Sequence, residues 1–386
     1  MNSAHILQTR KFVLPEVVFG AGVRMFCARY AQNLHMQKIL IVTDDGVIKA
    51  GWASEIMKLL GKENIEHVVF SQVHPNPRDF ETMNGARFYL ENKCDSILAI
   101  GGGSVIDCAK GIGIVSTNHK NIIDFAGVDK VLNPMPPIIC IPTTGGTSAD
   151  VSQFAIINHT AAKTKIAIIS SAVIADVALI DPETLVTMSP FLTACTGMDA
   201  LVHAIEAYVS NASSAITDLH AIDAIKRIGK FLEKSVENPD NLEYRGEIMM
   251  ASMLAGFAFS NASLGCVHAL AHSLGGFSDL PHGECNAILL PHVINFNFVA
   301  APEKYAQIAK ALKIENIDPK NAKTKIFEHL THLNRKIGIP SKLSEKGVKS
   351  SELGDLSKSA IKDPCNATNP RLPHKRDLEM IYQEAM

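Results

Sequence analysis

What this 386-residue chain lacks narrows its chemistry first. It has no uninterrupted apolar stretch of about 18 residues, so no membrane-spanning helix is expected. Its opening, MNSAHILQTRKFVLP, lacks the apolar run of a signal peptide, which makes the cytoplasm the default location. Eight thinly spread cysteines include no C-x-x-C pair, which argues against a disulfide framework and a zinc ribbon and leaves them as small buried apolar residues. The 37 basic and 39 acidic residues give a net charge of −2 with no basic stripe, so nucleic acid is not an expected partner. Internal repeats, low-complexity tracts and the G-x-G-x-x-G fingerprint are also missing.

What is present suits an enzyme with sizeable cores, since 47% of the chain is hydrophobic and its length accommodates about two domains. Up to about residue 187, apolar runs at 38–44, 67–73, 96–103, 136–144, 165–170 and 175–182 alternate with helical patterns at 47–61, 78–92 and 104–116. Continuous apolar runs bounded by turn residues are the pattern of strands covered on both faces, which predicts a parallel α/β layer. After Pro182 the strand-like runs give way to helical stretches at 191–210, 214–236, 243–260, 265–276, 283–299, 302–313, 320–336 and 376–385. The expected organisation is therefore an α/β, Rossmann-like dinucleotide-binding domain over 1–186 and an all-α domain over 187–386.

Two pairs of metal-binding residue types lie in the helical half: Asp199 with His203, and His268 with His272, the latter followed by His282. Residues four apart share a helix face, so each pair can aim at one point. With 15 histidines in 386 residues, about 0.6 His-x-x-x-His pairs arise by chance, so one pair alone argues little. One acid and four histidines within otherwise apolar segments argue more, because an unpaired carboxylate or imidazole is costly to bury. Together they suit a divalent cation such as iron or zinc. Cys266 and Cys285 lie nearby, but their spacing gives a thiolate ligand no support.

SILAIGGGSVIDCAK sets Gly101, Gly102 and Gly103 between an apolar strand and a helix starting near Ser104. Such a turn lets backbone approach a diphosphate closely while the helix start stabilises its charge; an ordinary tight turn is the competing reading. PTTGGTSAD supplies hydroxyls at Thr143, Thr144, Thr147 and Ser148 after the next strand, and two loops at the carboxyl ends of strands can face one crevice. Asp44 is placed to accept hydrogen bonds from an adenosine ribose, favouring NAD over NADP, or simply to cap a helix.

The motifs FVLPEVVFGAG, AIGGGSVIDCAK, IPTTGGTSAD, GMDALVHAIEAYVS, VHALAHSLGG, LPHGECNAILLPHV and DPCNATNPR occur in this order along nearly the whole chain. In this the chain resembles the iron-dependent, group III alcohol dehydrogenases. The resemblance implies a dehydroquinate synthase-like architecture, NAD, one divalent ion (Fe2+, with Zn2+ as an alternative) and a small alcohol or aldehyde substrate. It also implies a homodimer or larger homo-oligomer. Carried over by position, it makes Asp199, His203, His268 and His282 the metal ligands. His272 becomes the residue beside the nicotinamide that handles the proton or contacts substrate. Gly102, Gly103 and Ser104 match the diphosphate loop, with Asp107 beside it. Thr143, Thr144 and Thr147 match the loop along the cofactor, Lys165 a cofactor-contacting lysine, and Asp44 the acid that accompanies NAD preference.

Gly145 stands where the family more often has alanine, and Asp150 where it has glutamate; the shorter Asp150 is expected to reposition the threonine loop. Phe257, Phe259, Cys266 and Phe277 are candidate walls of an apolar pocket for a short alcohol. Two rival functions are a lyase related to dehydroquinate synthase, whose metal shell and phosphate-binding basic residues do not map onto these motifs, and a non-catalytic descendant that keeps the fold.

Overall fold

The computed structural model describes residues 11–318 and 320–386; the first ten residues of the expected N-terminal domain lie outside that range. Among the described residues nine strands form two sheets: β1 (Glu16–Phe19), β2 (Lys38–Val42), β3 (Glu66–Phe70), β4 (Ser96–Gly101), β5 (Gly127–Val128), β6 (Ile138–Pro142), β7 (Phe154–His159), β8 (Thr164–Ile169) and β9 (Val177–Ile180). The larger sheet is wholly parallel, in the order β1-β9-β6-β4-β2-β3.

Its helices are α1 (Cys27–Asn33), α2 (Asp45–Lys49), α3 (Trp52–Lys62), α4 (Asp79–Glu91) and α5 (Gly103–Asn118). Alternation along each strand divides the apolar residues between two faces. Ile39, Ile41, Leu98, Ile100, Ile139 and Ile141 pack with Ala28 and Ala31 of α1 and Ile56 and Leu60 of α3. Leu40, Val42, Ile97, Ala99, Ile138 and Cys140 pack on the other side with α4 and α5, through Ala86, Ile106, Ala109 and Ile112. This two-sided covering is why the strands read as unbroken apolar runs.

One expected member of the parallel layer belongs elsewhere. The 165–170 run is β8, an arm of an antiparallel hairpin with β7. Only four residues, 160–163, separate the two strands, whereas a parallel connection requires a crossover of a dozen or more. Strand β7 itself, FAIINH, escaped the sequence reading, although it is an apolar β-branched run ahead of a short polar turn.

Beyond β9 come α6 (Pro190–Val209), α7 (Ala215–Glu237), α8 (Leu242–Ala262), α9 (Cys266–Ser278), α10 (His282–Asn297), α11 (Pro302–Ala311), α12 (Ala322–Lys336), α13 (Leu353–Ala360) and α14 (Lys375–Glu384). All but the short α13 match an expected stretch. Ser189 caps α6 by accepting from the Leu192 N–H at 3.2 Å, with Pro190 at the first helical position, where its missing N–H costs nothing. Pro291, inside α10, cannot donate to the Ala287 carbonyl one turn earlier. Asn334 of α12 donates its amide to that oxygen instead, at 2.8 Å, so the helix is held at the break. No described single helix is long and apolar enough to cross a membrane.

The first layer is tied to the end of β9 by Arg24, whose Nη1 lies 2.7 Å from Oδ2 of the fully buried Asp181 and whose Nε lies 2.8 Å from Glu55. Removing the guanidinium strands a buried carboxylate. Arg24→Met is therefore expected to destabilise the fold by about 3 kcal/mol, seen as a lower urea midpoint at unchanged slope. An unaltered midpoint would show that the pair contributes nothing net.

Candidate active site

A cleft of about 850 Å3 runs between the carboxyl ends of the parallel strands and the helical half, and all fourteen candidate site residues line it. At one end are Asp44, Gly102, Gly103, Ser104, Asp107, Thr143, Thr144 and Thr147; Lys165 leads to the other, where Asp199, His203, His268, His272 and His282 gather.

The glycines at the strand-to-helix turn serve clearance rather than unusual backbone angles. Gly102 has φ −76° and is the N-cap of α5, where no side chain caps the helix. A Cβ on Gly103 would lie 2.5 Å from the Thr147 hydroxyl, and one on Gly102 3.0 Å from the Thr144 methyl. The two loops can therefore meet only without side chains at these positions. The buried Thr144 hydroxyl has no hydrogen-bond partner among the described residues, so a polar ligand in this loop would satisfy it. Asp44 caps α2, accepting from the Val47 N–H at 2.9 Å, while still lining the cleft.

Helix spacing and long-range hydrogen bonds together converge the metal candidates. Asp199 Oδ1 lies 3.9 Å from His203 Nε2, 3.8 Å from His268 Nε2 and 3.7 Å from His282 Nε2. His203 donates from Nδ1 to the Gly146 carbonyl at 3.2 Å, and His268 from Nδ1 to Glu206 Oε2 at 2.6 Å. Each bond leaves Nε2 without a proton and turns its lone pair toward the carboxylate. Burial pulls the pKa of His268 well down, and burial with the nearby Lys165 charge does the same to His282, so both stay neutral. A carboxylate oxygen facing imidazole lone pairs is relieved by a donor or a cation placed among them, and one carboxylate with three imidazoles is a donor set that fits a divalent metal.

Glu206 was not singled out from the sequence. It accepts from the Gly265 N–H at 3.0 Å and the Val267 N–H at 2.6 Å, so one carboxylate both caps α9 and orients His268. Burial pushes its pKa up to about 7, against the donors that favour its charge. A signal existed: Glu206 lies three residues after His203 and seven after Asp199, on the same helix face.

His272 points away from that cluster's hydrogen bonds. Its Nδ1 lies 2.8 Å from Asp363 Oδ2, and Asp363 also accepts from the Cys365 N–H at 2.9 Å. Burial opposes the Asp363 charge, but the adjoining imidazole and these hydrogen bonds outweigh it and lower its pKa. Lys165 donates to Asn76 Oδ1 at 2.8 Å; burial lowers its pKa against the surrounding acids, including Asp199 and Asp107. Burial raises Asp107 to about 7, opposed by Lys110.

Several expectations are corrected. Of the four candidate pocket walls only Phe259 lines the cleft, with its ring stacked on His203 at 4.4 Å. Phe257 contacts His220, Phe277 is 41% exposed, and Cys266 donates to Asn366 at 3.6 Å within the core. A helix apolar on most sides does not announce which residue faces the ligand. Asp150 does not line the cleft; it lies buried near Lys110, with its pKa raised to about 6 by burial. Cys285 is likewise buried, its thiol pushed up to about 12 by burial.

Residues 15–182 match the model of the iron-containing alcohol dehydrogenases, and residues 193–386 match the C-terminal model of the same family. The chain belongs to the iron-containing alcohol dehydrogenase family. A 1,3-propanediol dehydrogenase from Klebsiella pneumoniae is 38% identical over 97% of this chain and 98% of its own length. An NAD-dependent methanol dehydrogenase from Bacillus methanolicus is 36% identical over 98% of this chain and 100% of its own. Among solved structures, an alcohol dehydrogenase from Oenococcus oeni superposes with a TM-score of 0.94 at 37% identity, covering 98% of this chain and 100% of that one. As a member of this dehydrogenase family the chain is an oxidoreductase.

Proposed function

We propose that this enzyme interconverts small alcohols, primary alcohols or diols, with their aldehydes, using NAD and one divalent cation. The observation that carries the reading is the convergence of Asp199 Oδ1 with three imidazole nitrogens in the same cleft as the glycine and threonine loops. The names of the Klebsiella and Bacillus relatives support a small alcohol and NAD.

Asp199, His203, His268 and His282 would hold the cation. Bound there it would supply Lewis acidity toward the substrate oxygen, while NAD supplies the hydride acceptor or donor. Gly102, Gly103 and Ser104 offer the uncapped start of α5 to the diphosphate, and Thr143, Thr144 and Thr147 bring hydroxyls alongside. Lys165 reaches the cleft between these loops and the cation, and Asp107 lies beside the diphosphate loop. Asp44 would accept from the adenosine ribose with the carboxylate lone pairs that its helix cap leaves free. His272 would take the alcohol proton at Nε2, held for that task by Asp363 at Nδ1. Fe2+ is the preferred ion by family resemblance, and nitrogen and oxygen ligands suit Zn2+ as well. The same reading divides the chain into a dinucleotide-binding unit, 1–186, and a metal-binding unit, 187–386. A homodimer or larger assembly and a cytoplasmic location rest on the family resemblance.

The test is NADH formation by protein stripped with chelator and reloaded with Fe2+ or Zn2+, against primary alcohols, diols and glycerol, and the reverse reaction with the aldehydes. Turnover that returns with metal is expected. Tight NAD and metal binding without turnover in either direction would replace this reading with a non-catalytic role.

A further inference from the structure

Asn286 lies one turn after His282 on α10, on the side of the helix that faces the metal candidates, and it is fully buried. Its amide Nδ2 is 2.6 Å from Asp199 Oδ1, 3.2 Å from His282 Nε2 and 3.3 Å from His268 Nε2. The carboxylate at 2.6 Å and the His268 ring, whose Nδ1 is bonded to Glu206, fix which end of the side chain is nitrogen, because the reverse orientation would set its oxygen against a carboxylate and a ring lone pair. The opposite end, Oδ1, has no partner among the described residues. A buried amide left half unpaired is costly, and a leucine in this apolar helix would avoid that cost. The hydrogen bonds on the nitrogen side are the only return the position offers.

An amide carries two protons and meets three acceptors here, so it cannot satisfy them equally. The shortest contact is to Asp199. The two imidazole contacts compete for the second proton, and they are the ones a cation would take over. The bond to Asp199 does not compete with a cation, since a carboxylate oxygen has a second lone pair.

We propose that Asn286 is a positioning residue of the cation site: its N–H bond to Asp199 Oδ1 fixes that carboxylate, and its shared contacts with His268 and His282 hold the ligand cluster together before the ion arrives. The inference rests on the four-ligand reading given above. It assigns Asn286 no contact with substrate or cofactor. Its effect is on affinity for the ion and on the ligand field, the usual consequence of hydrogen bonds behind metal ligands.

The experiment uses the full chain, stripped of metal and titrated with Co2+ against a chromophoric chelator, with the visible Co2+ spectrum recorded. Asn286→Leu keeps the branched shape, is somewhat larger, and removes the donor. Its Co2+ affinity is expected to fall about 10- to 100-fold and its spectrum to shift. NADH binding, read by quenching of Trp52, the only tryptophan and a residue of the cleft wall, should be unchanged and so report an intact fold. Asn286→Ser and Asn286→Ala give a second comparison at small volume; they differ by one hydroxyl donor, and serine is expected to bind Co2+ more tightly. Equal affinity and spectrum in the leucine variant, or equal affinities for serine and alanine, would overturn the role of the donor. If the unaltered protein fails to bind Co2+, the four-ligand reading itself falls, which separates the two failures.

Discussion

His268→Ala is expected to lower kcat/KM for any alcohol by at least about 1,000-fold and to leave the purified protein nearly free of metal. Two losses combine. The cation site loses one of three imidazoles, and Lewis-acid stabilisation of several kcal/mol corresponds to about three powers of ten in rate. Glu206 also loses the imidazole that it meets at 2.6 Å, while still buried beneath the start of α9. Burial already raises this carboxyl to about 7, so without that partner it is expected to take a proton and loosen its hold on the Gly265 and Val267 N–H groups. Metal content after gel filtration and NADH formation with added Fe2+ or Zn2+ measure the two effects separately. Full metal occupancy in the alanine variant would remove His268 from the ligand set. Glu206→Gln should be milder, about 10- to 100-fold in metal affinity, because it changes the support of a ligand rather than the ligand.

The parts of this arrangement legible in the sequence are those fixed by local spacing. Asp199 and His203 meet because one helical turn separates them, and the AIGGGS turn could be placed because its strand is a six-residue apolar run. Partners supplied from far along the chain were not legible. Asp363 reaches His272 across 91 residues, and Asn334 rescues the Ala287 carbonyl across 47; no periodicity encodes such pairings. Glu206 is intermediate: its helix face was readable, but its bonds to the start of α9 depend on how α6 and α9 cross.

Clearance was also invisible from sequence alone. Gly146 looks like an ordinary loop glycine, yet a Cβ there would come within 2.4 Å of the Thr196 carbonyl oxygen, and the Gly146 carbonyl is what orients His203. The threonine loop and the first metal-binding helix therefore dock through a bare backbone. That contact links the two ends of the cleft more directly than any motif does. Asp150, only four residues on, lies outside the cleft lining, buried near Lys110.

The spacing of His268 and His272 leaves open which of them binds metal, and a second substitution separates their roles. His272→Ala is expected to reduce kcat about 100-fold while leaving metal content and NADH affinity near those of the unaltered enzyme. Nδ1 of His272 faces a carboxylate kept ionised by its own hydrogen bonds, so the ring proton belongs on that side and Nε2 is left as the acceptor. None of the other imidazoles gathered at this end of the cleft is free for this task, because His203, His268 and His282 all direct Nε2 at Asp199; His74, which also lines the cleft, is tied through Nδ1 to Glu81. Asp363→Asn keeps the contact but removes the charge that selects this tautomer, so it should lower kcat by less than the alanine substitution does, again without loss of metal. If metal departs together with activity in His272→Ala, the residue belongs to the ligand set and the proton must leave by another route. If kcat stays within a few-fold of the unaltered enzyme at every pH, the His272 and Asp363 pair is structural, and its work is to anchor the 363–369 turn against α9.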